Sequence, residues 1–256
     1  MFKYRAALVI AMFVSAPSWA IVIPYGDFNG TDVMYLDVTE DTRSSPQALF
    51  GPPSILGNTL DFDPLSFSAG VSSVSGTSNS QIVDGQLNFT LMSNSASFGL
   101  GDVIITEAGD FTLNGLGNAQ ATASVATPVR WTITEVDGAA VTPVSGSDSL
   151  AFTPNAGSYS LPSDLGTGVL WDGELTVDVA GFAIANGITG RVTKVEFSID
   201  NTLSVSAADG GSASIFKKDF NGVVIEAPVP EPSSASLSFL GLLAMVACKR
   251  NRRRRY

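Results

Sequence analysis

Three pairs of acids in this chain have spacings that could carry hydrolytic chemistry: Glu107 with Asp110, Glu135 with Asp137, and Asp172 with Glu174. A glycosidase holds two carboxyl groups about 5–9 Å apart across a cleft, one as acid and the other as base or nucleophile. Residues two apart on a strand share a face, so the second and third pairs could converge. Asp137 and Asp172 each precede a glycine, which predicts turns at both, and solvated surface acids are the simpler explanation. A second oxygen-rich run, Asp27, Asn29 and Asp32, has the donor types and spacing for a structural calcium ion. It departs from an EF-hand loop, which wants glycine at position six and glutamate at twelve, because Gly30 stands at position four. A tight hairpin turn is the alternative reading of the same residues.

Two tryptophans lie between the terminal segments. Trp131 alternates with Ile133 and reads as core. Trp171 adjoins Asp172-Gly173 and is the candidate for stacking on a sugar ring. The chain has no histidine, and its one cysteine, Cys248, lies close to the C-terminal end. Residues 21–226 therefore hold no Ser-His-Asp or Cys-His pair, no zinc or haem site built on imidazole or thiolate, and no internal disulfide. The glycine-rich stretches at 99–101 and 115–117 lack a lysine and a following helix, so no phosphate loop is implied. The expectation is a protein that is not an enzyme, with no cofactor beyond that one structural calcium.

The charge is uneven. The chain has 24 acidic and 14 basic residues. Two of the basic residues lie in the first twenty positions and six in the last eight, which leaves six against all the acids and a net −18 for residues 21–231. Such a surface repels phosphate backbones, so nucleic acid is not an expected partner, and it keeps a protein soluble.

The elements that would position these residues are strands. Asn-Gly or Asp-Gly occurs eight times, at Asn29, Asp84, Asn114, Asp137, Asp172, Asn186, Asp209 and Asn221, and these dipeptides suit type I′ hairpin turns. Between them apolar residues recur with period two: Leu87, Phe89 and Leu91; Leu175, Val177 and Val179; Val195, Phe197 and Ile199. Leu203, Val205 and Ala207 keep the same parity after a polar break at Asp200-Asn201-Thr202. Further strands are predicted over 33–38, 59–62, 102–106, 110–113, 119–125, 130–136, 150–153 and 212–217, with loops at 41–53 and 66–80. One short helix is predicted over 178–186, with Gly187 as its stop and Gly181 against it. Many short strands with little helix predict an all-β fold, a β-sandwich or jelly-roll-like domain over residues 21–226.

Both ends read as targeting segments. Lys3 and Arg5 precede an apolar run over 6–14, and Ser18-Trp19-Ala20 has the small-x-small form of a signal-peptide cleavage site after Ala20. From residue 227 a proline-rich linker leads through Pro230-Glu231-Pro232 to an apolar stretch over 235–248, then to Lys249, Arg250, Arg252, Arg253, Arg254 and Arg255. Fourteen helical residues span about 21 Å, short of a roughly 30 Å hydrocarbon core, so this would be a single short transmembrane helix. The basic cluster is expected on the cytoplasmic side.

The order of Pro-Glu-Pro, apolar span and arginine cluster resembles the PEP-CTERM sorting signal of Gram-negative bacteria. The resemblance covers about a tenth of the chain. It implies recognition by an exosortase, cleavage near Pro230, Glu231 and Pro232, prior export through the Sec machinery and signal peptidase, and a destination at the cell surface or in a biofilm matrix. A looser likeness to other such substrates runs through 25–42, 60–64 and 200–218 and implies no activity. The expectation is a structural or adhesive surface protein. The alternatives are a carbohydrate-binding module for exopolysaccharide, using Trp171, and a carboxylate-based glycan hydrolase.

Overall fold

A computed structural model describes residues 21–95, 98–218 and 222–228 of the chain. The segment ending at Ala20, the Pro230-Glu231-Pro232 motif, the apolar stretch and the basic cluster lie outside the described residues. Among the described residues no helix is long and apolar enough to cross a membrane.

The described residues form sixteen strands and one short α-helix. In chain order they begin with β1 (Ile21–Asn29), β2 (Val33–Thr42), β3 (Ser54–Leu56), β4 (Thr59–Phe62), β5 (Ser68–Ser72) and β6 (Ser78–Ser93). There follow β7 (Asp102–Asn114), β8 (Gln120–Ala126), β9 (Pro128–Val136), β10 (Ala139–Ser149), β11 (Ala151–Thr153) and β12 (Ser158–Ser160). The last are β13 (Gly166–Asp178), helix α1 (Val179–Ala185), β14 (Val192–Ala208), β15 (Ser212–Lys217) and β16 (Val223–Glu226).

The strands make two antiparallel sheets of eight, an all-β sandwich, and each sheet is organised around one long strand. In the first sheet, β14 pairs along one side with β6, which continues through β2 to β1. Along its other side two shorter strands lie end to end, β9 beside 192–199 and β8 beside 202–208. The second sheet repeats this plan around β7. One side carries β13, and the other carries β16 beside 104–107 and β15 beside 109–114. Each sheet thus has one place where a ladder stops and another begins, near Thr127 in the first and between Glu107 and Gly109 in the second.

Period two builds the core. Leu87, Phe89 and Leu91 of β6, Val195, Phe197, Ile199, Leu203 and Val205 of β14, and Val103, Ile105, Phe111 and Leu113 of β7 are all buried in one continuous apolar cluster between the sheets. Their neighbours in sequence face outward, as alternation on a pleated strand requires. The helix is as short as its sequence allows: the Asp178 side chain caps it by accepting a hydrogen bond from the Gly181 N–H at 2.7 Å. A Cβ at Gly181 would overlap the capping carboxylate in its present rotamer, so the glycine leaves room for the cap.

Several expectations are corrected. The polar break at Asp200-Asn201-Thr202 does not interrupt β14, and the segments at 102–106 and 110–113 are one strand. The Ser- and Gly-rich stretch at 66–80 is not all loop, since β5 lies within it and pairs with β15, burying Ala69. Asp84-Gly85 and Asp172-Gly173 are not turns but lie inside β6 and β13. These glycines serve close packing rather than positive φ. The space a Cβ would occupy at Gly85 is filled by Leu49 and Phe50, and at Gly173 by the Phe152 ring.

Candidate functional site

The two ladder breaks face each other across the core, and a polar cluster occupies the space between them. Lys217, the last residue of β15, and Glu107, on β7, form an ion pair through Lys217 Nζ and Glu107 Oε2, with both side chains fully out of solvent. The Thr127 hydroxyl, at the joint between β8 and β9, lies 2.8 Å from the same Glu107 oxygen and 3.1 Å from Asn201 Oδ1 on β14. Glu107 and Lys217 belong to one sheet and Thr127 and Asn201 to the other, so this cluster bolts the layers together. Phe67 and Trp171 wall it off, with ring centroids 5.5 and 5.4 Å from the lysine nitrogen. Burial pushes the Lys217 amine below the ordinary lysine range, and the adjacent Glu107 carboxylate opposes that shift. Two polar atoms of the cluster, Glu107 Oε1 and Asn201 Nδ2, have no hydrogen-bond partner among the described residues.

Of this cluster only Glu107 was singled out by sequence, and with another partner, but the signature of the whole is there. Val103, Ile105 and Glu107 share one parity, as do Ala213, Ile215 and Lys217, and Ile199, Asn201 and Leu203. In each row a polar residue stands where the period demands an apolar one. Such a position is filled by a polar side chain only where partners meet it across the core.

Trp171 does not face solvent. It is 1% exposed and packs edge-on against Phe152 at 5.8 Å. Its neighbour Asp172 projects outward, and strand alternation therefore turns the indole inward, which withdraws Trp171 as a platform for sugar. Trp131 is core, as expected, with Phe182 of α1 against it.

None of the three acid pairs lines a cleft described among these residues. Glu107 points into the core, whereas Asp110 lies on the opposite face of β7 and pairs with Lys218 at 2.5 Å. Glu135 accepts from the Thr193 hydroxyl at 3.0 Å. Asp137 lies in the β9–β10 turn, where Arg191 at 3.0 Å holds its carboxyl below the usual range. Asp172 and Glu174 share the outer face of β13, as period two predicts, and both are exposed. Two of the three side chains proposed for calcium accept hydrogen bonds from the chain itself. Asp27 accepts from the Asp37 N–H at 2.8 Å, and Asp32 accepts from the Asn58 amide at 2.9 Å. Asn29 closes β1 beside the turn. Among the described residues no group of three His, Cys, Asp or Glu is gathered for a metal.

One acid pair not foreseen does come together, on the outer face of the first sheet. Asp84 of β6 and Asp200 of β14 are diagonal neighbours, since Asp84 pairs with Thr202 and Asp200 with Gln86. Arg43 reaches both, at 3.9 and 3.4 Å. Partial burial, and then the Asp84 charge, raise the Asp200 carboxyl above the ordinary range. Beside this pair a shallow groove of about 480 Å³ runs over Asn88, Arg130, Thr132, Glu196 and Ser198.

No protein-family model matches the chain, and no curated protein does. Among solved structures, the enzymatically active domain of the bacteriophage CBA120 tailspike protein 4 is 11% identical over 81% of this chain and 19% of that one, with a TM-score of 0.22. The infectious bursal disease virus VP2 subviral particle is 11% identical over 85% of this chain and 61% of that one, with a TM-score of 0.16. The chain thus spans less than two thirds of the length of either, and likenesses this weak identify neither a family nor an activity.

Proposed function

We propose that this chain is an exported protein, sorted by an exosortase acting at Pro230-Glu231-Pro232, whose sandwich has a structural or adhesive role at the cell surface or in a biofilm matrix. The observation that carries the reading is the order of the tail, Pro-Glu-Pro, apolar span and basic cluster. Its position relative to the fold supports it. The last described strand ends at Glu226, and the motif begins four residues further along the sequence. The acid excess of residues 21–231 suits a protein kept apart from its neighbours until it is placed. Deleting residues 230–256 in the source bacterium tests the reading by cell fractionation. Loss of the protein from the surface and matrix fractions is expected, and unchanged surface delivery would end the proposal.

A second reading, a glycan-binding module, rests on the outer groove instead of Trp171. Arg130, Asn88 and Thr132 offer donors there and Glu196 an acceptor, a mixture suited to hydroxyl and carboxylate groups of a polysaccharide. Glycan-array binding reduced at least tenfold by Arg130→Ala is the expected result. Binding that survives this change unaltered, or no binding at all, would remove the reading.

A further inference from the structure

We propose that Lys217 and Asn201 are joined by an intramolecular isopeptide bond, made by the protein itself with Glu107 as the proton carrier. In the step, Lys217 Nζ attacks Asn201 Cγ, forming a C–N bond. Glu107 first takes one proton from the Lys217 ammonium, which frees the amine to attack; it then protonates Asn201 Nδ2 and takes the second proton from the attacking nitrogen, ending as the neutral acid. The Cγ–Nδ2 bond breaks, ammonia leaves, and no oxidant or co-reactant is consumed.

Four observations carry this. First, the three groups the reaction needs are in one closed cluster: Lys217 Nζ is hydrogen-bonded to Glu107, and Asn201 is tied to the same carboxylate through the single hydroxyl of Thr127. Second, that hydroxyl lies 3.1 Å from Asn201 Oδ1; once Glu107 is protonated it no longer competes for the hydroxyl's one proton, which then stabilises the oxyanion of a tetrahedral intermediate. Third, the cluster is sealed. Lys217 and Glu107 side chains have no exposure, Asn201 is likewise 0% exposed, and Phe67 and Trp171 close the walls, so water does not compete for the carboxamide. The same burial favours the neutral, nucleophilic amine. Fourth, the unreacted arrangement is an expensive one. It buries two charges, and it leaves Glu107 Oε1 without a donor and Asn201 Nδ2 without an acceptor among the described residues. Amide formation removes the lysine charge and expels that amino group.

The partners come from paired strands of opposite sheets, so the folded state supplies the orientation that makes an otherwise slow amide exchange intramolecular. The product ties β14 to β15 at the point where hydrogen-bonded ladders are interrupted in both sheets. It would give a domain with no cysteine of its own the covalent fastening that disulfides provide elsewhere. None of this depends on where the protein is delivered.

Peptide mapping of the folded full-length chain tests the proposal. Trypsin cleavage after Lys194 yields a peptide that contains both Asn201 and Lys217. The bond blocks cleavage after Lys217 and lowers the mass by one ammonia. Further cleavage before Asp209 then leaves two pieces held together by the Asn201–Lys217 link. This linked pair is the expected result, and Glu107→Gln should abolish it, with Lys217→Arg as a second control. Complete recovery of the unlinked peptides at their sequence mass, or with Asn201 merely deamidated, would overturn the proposal. Because that outcome is read on the unaltered protein, a variant that fails to fold does not obscure it.

Discussion

The Trp171 indole covers the Lys217 nitrogen at 5.4 Å because both residues pair with Gly109, one from each side of β7. A glycine between them leaves the inner face of β7 open at that row, and the indole lies across it. The most buried tryptophan of the domain is therefore a lid over its polar cluster, held by a glycine on the central strand of the second sheet.

Gly109→Ala should destabilise the domain by about 1–3 kcal/mol or more, the usual range for overpacking a core. The added methyl would overlap both the indole and the Phe216 carbonyl, and a backbone carbonyl in a ladder cannot move aside. Gly70→Ala is the control, since its Cβ would meet Ser214 Cβ at 3.6 Å and the Ala213 carbonyl oxygen at 3.9 Å, both ordinary contacts. Denaturant midpoints of the two variants should differ clearly; equal midpoints would refute the lid geometry.

Trp171→Ala should cost about 3–5 kcal/mol, as expected for emptying a fully buried aromatic site. The loss should appear in chemical denaturation. A surface tryptophan would show almost no change in stability, so a neutral result would contradict the burial described above.

Burial, in Tyr25 and Tyr35, pushes the phenol above its ordinary range, with the Glu40 hydrogen bond adding to the effect in Tyr25. Burial, and then the Asp172 charge, raise Tyr159 to about 12. The native state thus keeps protons that the unfolded chain releases near its ordinary phenol value of about 10. The stability these tyrosines contribute is complete below that pH and is lost as pH rises above it. Their phenolate absorbance should therefore appear only together with loss of the near-ultraviolet circular dichroism. Full ionisation with the tertiary signal intact would disprove this coupling.

Asp200→Asn should stabilise the protein slightly at neutral pH. The raised carboxyl of Asp200 means that its charged form is penalised in the folded state, so the penalty grows as pH rises through the ordinary carboxylate range and above. Solvent screening limits the gain to about 0.5 kcal/mol. In melting curves the difference from the unaltered protein should shrink as the pH falls below that range, where Asp200 is protonated in both states. A gain that persists at low pH would point to some other cause.

The strands themselves were legible in the sequence, because alternation with period two follows from the pleat and needs no knowledge of the partner strand. Thr59–Phe62 and Ser212–Lys217 have the expected bounds, and the helix begins one residue inside its predicted start, at the Asp178 cap. What alternation cannot reveal is which strand faces which. Asn201 and its neighbours look like an interruption when β14 is read alone; only the opposite sheet supplies Glu107 and Lys217 to meet them. Asp172-Gly173 looks like a turn until Phe152 is brought against it.

The sequence by itself therefore determined the strand content, the acid excess and the order of the tail, all properties of local pattern and composition. Tertiary structure alone decided that Trp171 is a buried lid rather than a glycan platform, that Glu107 and Asp110 lie on opposite faces of one strand, and that four polar side chains separated by up to 110 positions close into one cluster. Burial and partnership arise only when two sheets meet, and no period within a single strand encodes what lies across the core.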